Sequence, residues 1–304
     1  MRTESFSPRR TADRPRRALK ICYLVTLYHK FDQALRLVRR LEGPDCGFVF
    51  HIDSAAHSMD AATFRAKFDG CETVAFVPSV RWKWGSYNGA LAVMRCIRAA
   101  IELGPFDRYV LLSGQDYPIA SRVQIREFFE KNLDVEYVEA YPIDVMDEST
   151  PGWSPYYRCR RYHVWIGNRR VVLPLIRRGP PPLPIFHGST WWALTHGAVA
   201  YVVDQFKSNR VLRRYLRSAF LVEELYIPTL MMSSPFSKKV ACADVTYTKF
   251  TPAYGPHPKI LTATDFDALM ASPKLFGRKV DSAVDVSILD MLDKSLGELG
   301  PSKA

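Results

Sequence analysis

No run of eighteen or more apolar residues occurs in this chain, so no segment reads as a membrane-spanning helix. Its six cysteines, Cys22, Cys46, Cys71, Cys96, Cys159 and Cys242, lie far apart and form no C-x-x-C pair. Neither a disulfide framework nor a structural zinc is expected from them, and scattered thiols fit a reducing cytoplasm. The N-terminal MRTESFSPRRTADRPRR has the charge that opens a signal peptide without the apolar stretch that must follow. Arg9-Arg10 and Arg16-Arg17 are therefore not read as a secretion signal, and a cytoplasmic location is expected. There is no G-x-G-x-x-G and no G-x-x-x-x-G-K-[ST], which disfavours a dinucleotide enzyme and a P-loop NTPase. The absence of G-x-S-x-G removes support for an α/β-hydrolase. No internal repeat and no clean linker break the chain, and low complexity is confined to the proline-rich Gly179–Pro184.

What is present describes a globular protein. The 304 residues are 47% hydrophobic and 24% charged, which rules out wholesale disorder. The net charge of +11 is local: residues 1–20 carry seven basic side chains against two acids, and Tyr156–Arg178 carries seven arginines and no acid. The remainder of the chain is near neutral. Residues 1–19 read as a basic tail, either simply solvated or drawn to an anionic membrane surface. The arginines of 156–178 alternate with aromatic residues, a composition that also suits single-stranded nucleic acid or sugar rings.

The first half alternates strands and helices. Ile21–Leu27, Gly47–Asp53, Thr73–Val77 and Tyr109–Leu112 have the length and continuous apolarity of buried strands. Helices are expected after Phe31, over Ser86–Leu103 and over Arg122–Lys131, with a short strand at Glu136–Glu139. This pattern predicts an α/β fold with a mainly parallel sheet flanked by helices. Residues 141–186 read as a long excursion holding one hairpin. A strand at Ser189–Thr195, helices to about Ser233, a strand over Val240–Phe250, a helix from Asp265 and a final helix at Ile288–Leu296 complete the reading. One domain is expected over 20–298, with a nucleotide-binding half at 20–140 and an acceptor and catalytic half at 141–298.

A parallel sheet binds ligands at the carboxyl ends of its strands. Leu27, Asp53 and Asp116 stand at such ends, Asp53 as a ribose or base acceptor or as a turn residue. The start of the strong helix at Ser86 reads as an anion site. Glu223-Glu224 open an apolar run, which ordinary helix electrostatics would explain and which deprotonation of a hydroxyl would also require. Trp191-Trp192 suits a sugar platform. Asp265-Phe266-Asp267 reads as a helix start after Thr262 and Thr264 rather than a metal site.

These segments, taken in order, resemble a known family. ICYLVTLYHKFDQALRLVRRL, FVFHIDSAA, VRWKWGSYNGALAVMRCI, RYVLLSGQDYPI, HGSTWWALT, EELYIPTLMM and HPKILTATDFDALMASPKLFGRKVD are similar to the core-2/I-branching β-1,6-N-acetylglucosaminyltransferase and peptide O-xylosyltransferase family across residues 20–281. The resemblance implies a GT-A-type fold and inverting transfer of a sugar, GlcNAc or xylose, from a UDP donor without a metal or other cofactor. It implies Glu224 as catalytic base and Lys279 and Lys259 at the diphosphate, Lys259 standing where the branching enzymes have arginine. It places Leu27, Asp53 and Ser86 on the donor side. Asp116, Trp191, Trp192, Tyr247, Arg158 and Arg161 fall on the side of a saccharide or lipid-linked glycan acceptor. Nucleic acid is not expected as a partner; a nucleic-acid-binding protein and a catalytically silent glycan-binding relative are the alternatives.

Overall fold

The computed structural model describes residues 18–143, 154–255 and 257–297. Nearly all of the basic tail lies outside them; Leu19, grouped with the tail by sequence, is buried in the core. The order of the first half is β1 (Ile21–Leu27), α1 (Phe31–Leu41), β2 (Cys46–Ile52), α2 (Ser58–Ala66), β3 (Val74–Phe76), α3 (Tyr87–Leu103), β4 (Arg108–Ser113), β5 (Asp116–Pro118) and α4 (Arg122–Lys131). Then come β6 (Tyr141–Pro142), α5 (Pro155–Arg160), β7 (Arg161–Ile166), β8 (Arg169–Arg177), β9 (Phe186–His187), β10 (Ala193–Thr195), α6 (His196–Ser208), α7 (Arg210–Leu216) and α8 (Glu223–Met232). Strand β11 (Thr246–Thr248), α9 (Phe266–Met270), β12 (Phe276–Arg278) and α10 (Ser287–Ser295) follow.

The main sheet runs β10-β4-β1-β2-β3. Its β1, β2, β3 and β4 are parallel, while β10 joins β4 antiparallel. Successive side chains of β1 alternate across the sheet. Ile21, Tyr23, Val25 and Leu27 enter the core shared with α1, α2 and α10, and Cys22 and Leu24 enter the core shared with α3, α6 and α8. Both faces are therefore covered, which is why β1 and β2 are apolar without alternation. A smaller sheet, β11-β12-β5, sits beside the main one, with Tyr247 opposite Gly277 and Arg278 opposite Asp116.

Several expected strands contract, Ser189–Thr195 to β10 among them. Glu136–Glu139 forms isolated bridges from Glu136 to Val240 and from Tyr137 to Ala193, and Val240–Phe250 keeps β11 as its strand. Glu136 is instead occupied by Thr195, whose N–H and hydroxyl donate to its carboxylate at 2.9 and 2.6 Å. The expected hairpin within 141–186 is β7–β8. Among the described residues, no helix is long and apolar enough to cross a membrane.

Candidate active site

A cavity of about 760 Å³ opens where α8, the segment before β10, β11 and the end of β12 converge. Helix α8 brings Glu223 and Glu224 to it at its first turn, where the helix dipole favours carboxylates. Arg158 on α5 reaches the Glu224 carboxylate at 2.6 Å. Both partners are largely but not fully enclosed, with side-chain exposures of 12% for Arg158 and 28% for Glu224. Burial raises Glu224 above the usual carboxylate range, while Arg158 opposes the rise. Burial pushes Glu223 up to about 8, and the neighbouring Glu224 adds to the shift. Among the described residues, one Glu223 oxygen is enclosed without a hydrogen-bond partner.

The opposite wall is cationic. Lys279 lines the cavity, and its ammonium is pulled below the ordinary lysine value by burial and by Arg278. Arg278 is buried, donates to Asp116 at 2.8 and 3.1 Å and lies 3.8 Å from the centre of the Trp191 ring. Its guanidinium is thus fixed by an ion pair on one side and an aromatic face on the other. Gly188 lets the wall close: a Cβ there would lie 1.9 Å from the Glu139 carbonyl oxygen. The next residue, Ser189, donates its N–H to the Glu139 carboxylate at 3.1 Å.

A second cavity of about 430 Å³ lies at the carboxyl ends of β1 and β2 and includes Tyr28, Asp53, Trp165 and Arg170. Trp82 and Trp84 line both cavities. Asp53 sets this shared segment, accepting from the Trp82 N–H at 2.6 Å and the Ala55 N–H at 2.7 Å. The turn role and the cavity-lining position of Asp53 therefore coincide.

The candidates named from sequence divide accordingly. Glu224, Lys279, Arg158, Trp191 and Tyr247 line the larger cavity, and Asp53 the smaller. Trp192 does not join Trp191: consecutive residues of an extended segment point to opposite sides, and Trp192 is buried against α3 and α8. Asp116 reaches the cavity through Arg278 rather than lining it. Lys259 donates to Asp265 at 2.6 Å and lies outside the cavity lining. Asp265 also accepts from Lys249 at 2.7 Å and from the Thr262 N–H at 3.0 Å, so it closes the helix start read in the sequence. Ser86 caps α3, accepting from the Asn88 N–H at 3.3 Å; it and Leu27 are each buried, and neither lines either cavity. Arg161 opens β7, outside both linings. Arg278 and Glu139 went unnoticed in the sequence; the arginine's place beside Lys279 was its one signal. Among the described residues, no group of three His, Cys, Asp or Glu is placed to hold a metal ion.

The Core-2/I-Branching enzyme family model matches residues 21–272. Xylosyltransferase 2 of Mus musculus is 22% identical over 93% of this chain and 34% of its own length. The Arabidopsis thaliana β-glucuronosyltransferase GlcAT14B is 22% identical over 91% of this chain and 66% of its own. The chain spans about a third of the length of the xylosyltransferases that it matches. The solved galactosyltransferase LgtC, in complex with donor and acceptor sugar analogs, covers 92% of this chain and 97% of its own at a TM-score of 0.44 and 11% identity. Because the family model runs from the first strand of the main sheet to the residues just before β12, this chain belongs to the Core-2/I-branching enzyme family.

Proposed function

We propose that this protein is an inverting, metal-independent glycosyltransferase of GT-A type that moves a sugar from a UDP-sugar to an acceptor hydroxyl. The observation that carries the reading is that Glu224, at the start of α8, and Lys279, after β12, line one cavity of about 760 Å³. The nucleoside end of the donor lies in the smaller cavity beside Asp53, and the diphosphate points to Lys279. The acceptor oxygen attacks the anomeric carbon as Glu224 removes its proton. The bond from that carbon to the diphosphate oxygen breaks on the opposite face, which inverts the centre. Lys279 and the fixed Arg278 stabilise the charge that grows on departing UDP in a site of restricted solvent. Lys259 reaches the diphosphate by exchanging Asp265 for phosphate, so Lys279 is the principal cation. Trp191 and Tyr247 border the acceptor, a saccharide free or carried on lipid.

The relatives' names, xylosyltransferase and β-glucuronosyltransferase, support a sugar donor of this class. The test is UDP release from a panel of UDP-sugars, UDP-GlcNAc and UDP-xylose first, with and without EDTA. Release from one donor that survives EDTA and falls about 10³-fold or more in Glu224→Gln is the expected result. Loss of activity to EDTA overturns the metal-free account. Failure of every UDP-sugar to bind overturns the assignment itself.

A further inference from the structure

Residues 156–217 contain twelve Lys and Arg and a single acid, Asp204, so this stretch alone carries a charge equal to the whole chain's +11. The fold gathers much of it into one region. The β7–β8 hairpin is tied to the end of α7 by the His163 N–H, which donates to the Ser218 carbonyl at 2.9 Å. Arg178, just past β8, lies 3.9 Å from the centre of the Tyr215 ring on α7.

The two faces of the hairpin differ. His163 and Trp165 on β7, and Arg170 on β8, turn inward onto Phe220; His163 stacks at 5.5 Å and the Arg170 guanidinium lies 3.7 Å from the ring centre. On the other face Val164 pairs with Val171 and Ile166 pairs with Arg169. These aliphatic side chains are exposed: Ile166 by 67%, Val164 by 41% and Val171 by 37%. Helix α7, linked to the hairpin by these contacts, buries Leu212 and Leu216 and exposes Arg210, Val211 and Arg214; with the exposed Arg217 that caps it, three arginines form a stripe.

We propose that the outer face of the β7–β8 hairpin and the adjoining face of α7 form a docking surface for an anionic lipid bilayer. The arginines match anionic headgroups, and Val164, Ile166 and Val171 enter the boundary between headgroups and acyl chains. A polynucleotide would engage the arginines but would gain nothing from three exposed aliphatic side chains on a projecting strand pair. The surface backs one wall of the smaller cavity, since Trp165 and Arg170 line that cavity from the inner side. Docking therefore sets the cleft beside the lipid surface. The site differs from the N-terminal tail and stands without the sugar-transfer reading.

The test is co-sedimentation of the full chain with vesicles of phosphatidylcholine alone and of phosphatidylcholine mixed with phosphatidylglycerol. Three variants accompany it: removal of residues 1–17, Arg210→Glu with Arg214→Glu and Arg217→Glu, and Val164→Ser with Ile166→Ser and Val171→Ser. Thermal melting confirms that each is folded, and single Ile166→Ser and Arg214→Glu variants replace any set that is not. Binding to anionic but not neutral vesicles is expected to survive loss of the tail. The arginine set should weaken it by about tenfold or more, and the serine set by severalfold. Binding that disappears with the tail, or that both sets leave unchanged, overturns the proposal. Sensitivity to the arginines with indifference to the serines also overturns it, in favour of a general polyanion site.

Discussion

At the scale of single residues, the chemistry rests on how burial and neighbouring charge set protonation. The proposed role of Glu224 as base requires its ionised form, yet its enclosure favours the neutral form, and Arg158 at 2.6 Å is the group that restrains that drift. Replacing Arg158 with Met removes the restraint. The acid limb of kcat/KM should then move to higher pH, with the alkaline limb unmoved; an unshifted acid limb in a full pH–rate profile would reject the pairing as functional. Glu223 obeys a different rule. Its carboxyl is raised to about 8 by burial, so folding keeps it neutral where the unfolded chain would ionise it. A raised carboxyl contributes no penalty below the unfolded value near 4.5; the penalty grows as pH rises and is complete above about 8. Glu223→Gln, which is neutral throughout, should match wild type in Tm at pH 4 to 5 and exceed it progressively towards pH 9. Calorimetry across that range checks the sign. The family resemblance, rather than the local sequence, singled out Glu224 and Lys279, and both line the larger cavity. Arg278, which joins Asp116 to Trp191, was not singled out, because its ion pair links residues 162 apart in sequence and only its place beside Lys279 hinted at it.

At the scale of elements, legibility followed burial on two faces. Strands β1, β2 and β4 are continuous apolar runs because helices cover both sides of the sheet, and their limits lie within a residue or two of those expected. The expected strand over Val240–Phe250 shrank because Asp244 is drawn to Lys274, at 2.8 Å, and holds the Thr246 N–H at 3.3 Å, so the chain turns before β11. An apolar run does not reveal such a turn. The segment between β9 and β10 also depends on one backbone contact. Gly188→Ala would force a methyl group into the Glu139 carbonyl, and the loop carrying Trp191 must shift. The expected outcome is a stability loss of about 1–3 kcal/mol with a fall in activity, read by denaturant unfolding and UDP release on the same preparation. Full activity with unchanged stability would show that this wall yields without consequence.

At the scale of the whole molecule, the two ends of the described chain are stapled together. Helix α10 buries Ile288, Leu289 and Leu292 in the core that also holds α1. Arg36 of α1 pairs with Asp290 and Asp293 at 2.6 and 2.7 Å, and Tyr117 donates to Asp293 at 2.7 Å. Each of the three side chains contributes about 1.5–3 kcal/mol when buried, a sizeable share of the stability of any domain. Ending the chain before Ser287 should therefore lower Tm by ten degrees or more, on the order of what such losses produce, or give insoluble protein. A truncated chain that melts like the full one would show that α10 is an accessory. The alternation of strands and helices indicated a mainly parallel sheet in advance. The antiparallel direction of β10 and the separate β11-β12-β5 sheet were not indicated, because the apolar runs that announced strands at Ser189–Thr195 and Val240–Phe250 carry no pairing direction.

One segment of the cleft is shared by its two cavities. Trp82 and Trp84 border both cavities, and their segment is anchored at Asp53 and, through Lys83, at the Gly167 carbonyl in the turn of the hairpin. A ligand in the smaller cavity would pack against the same segment that walls the larger one. If the protein transfers sugar from UDP as proposed, turnover should follow a compulsory order, with the nucleotide sugar arriving first and UDP leaving last. Initial-rate lines should intersect, and UDP should inhibit competitively against the nucleotide sugar but not against the acceptor. Competitive inhibition against both would mean that the two tryptophans form a passive partition and that arrival is random.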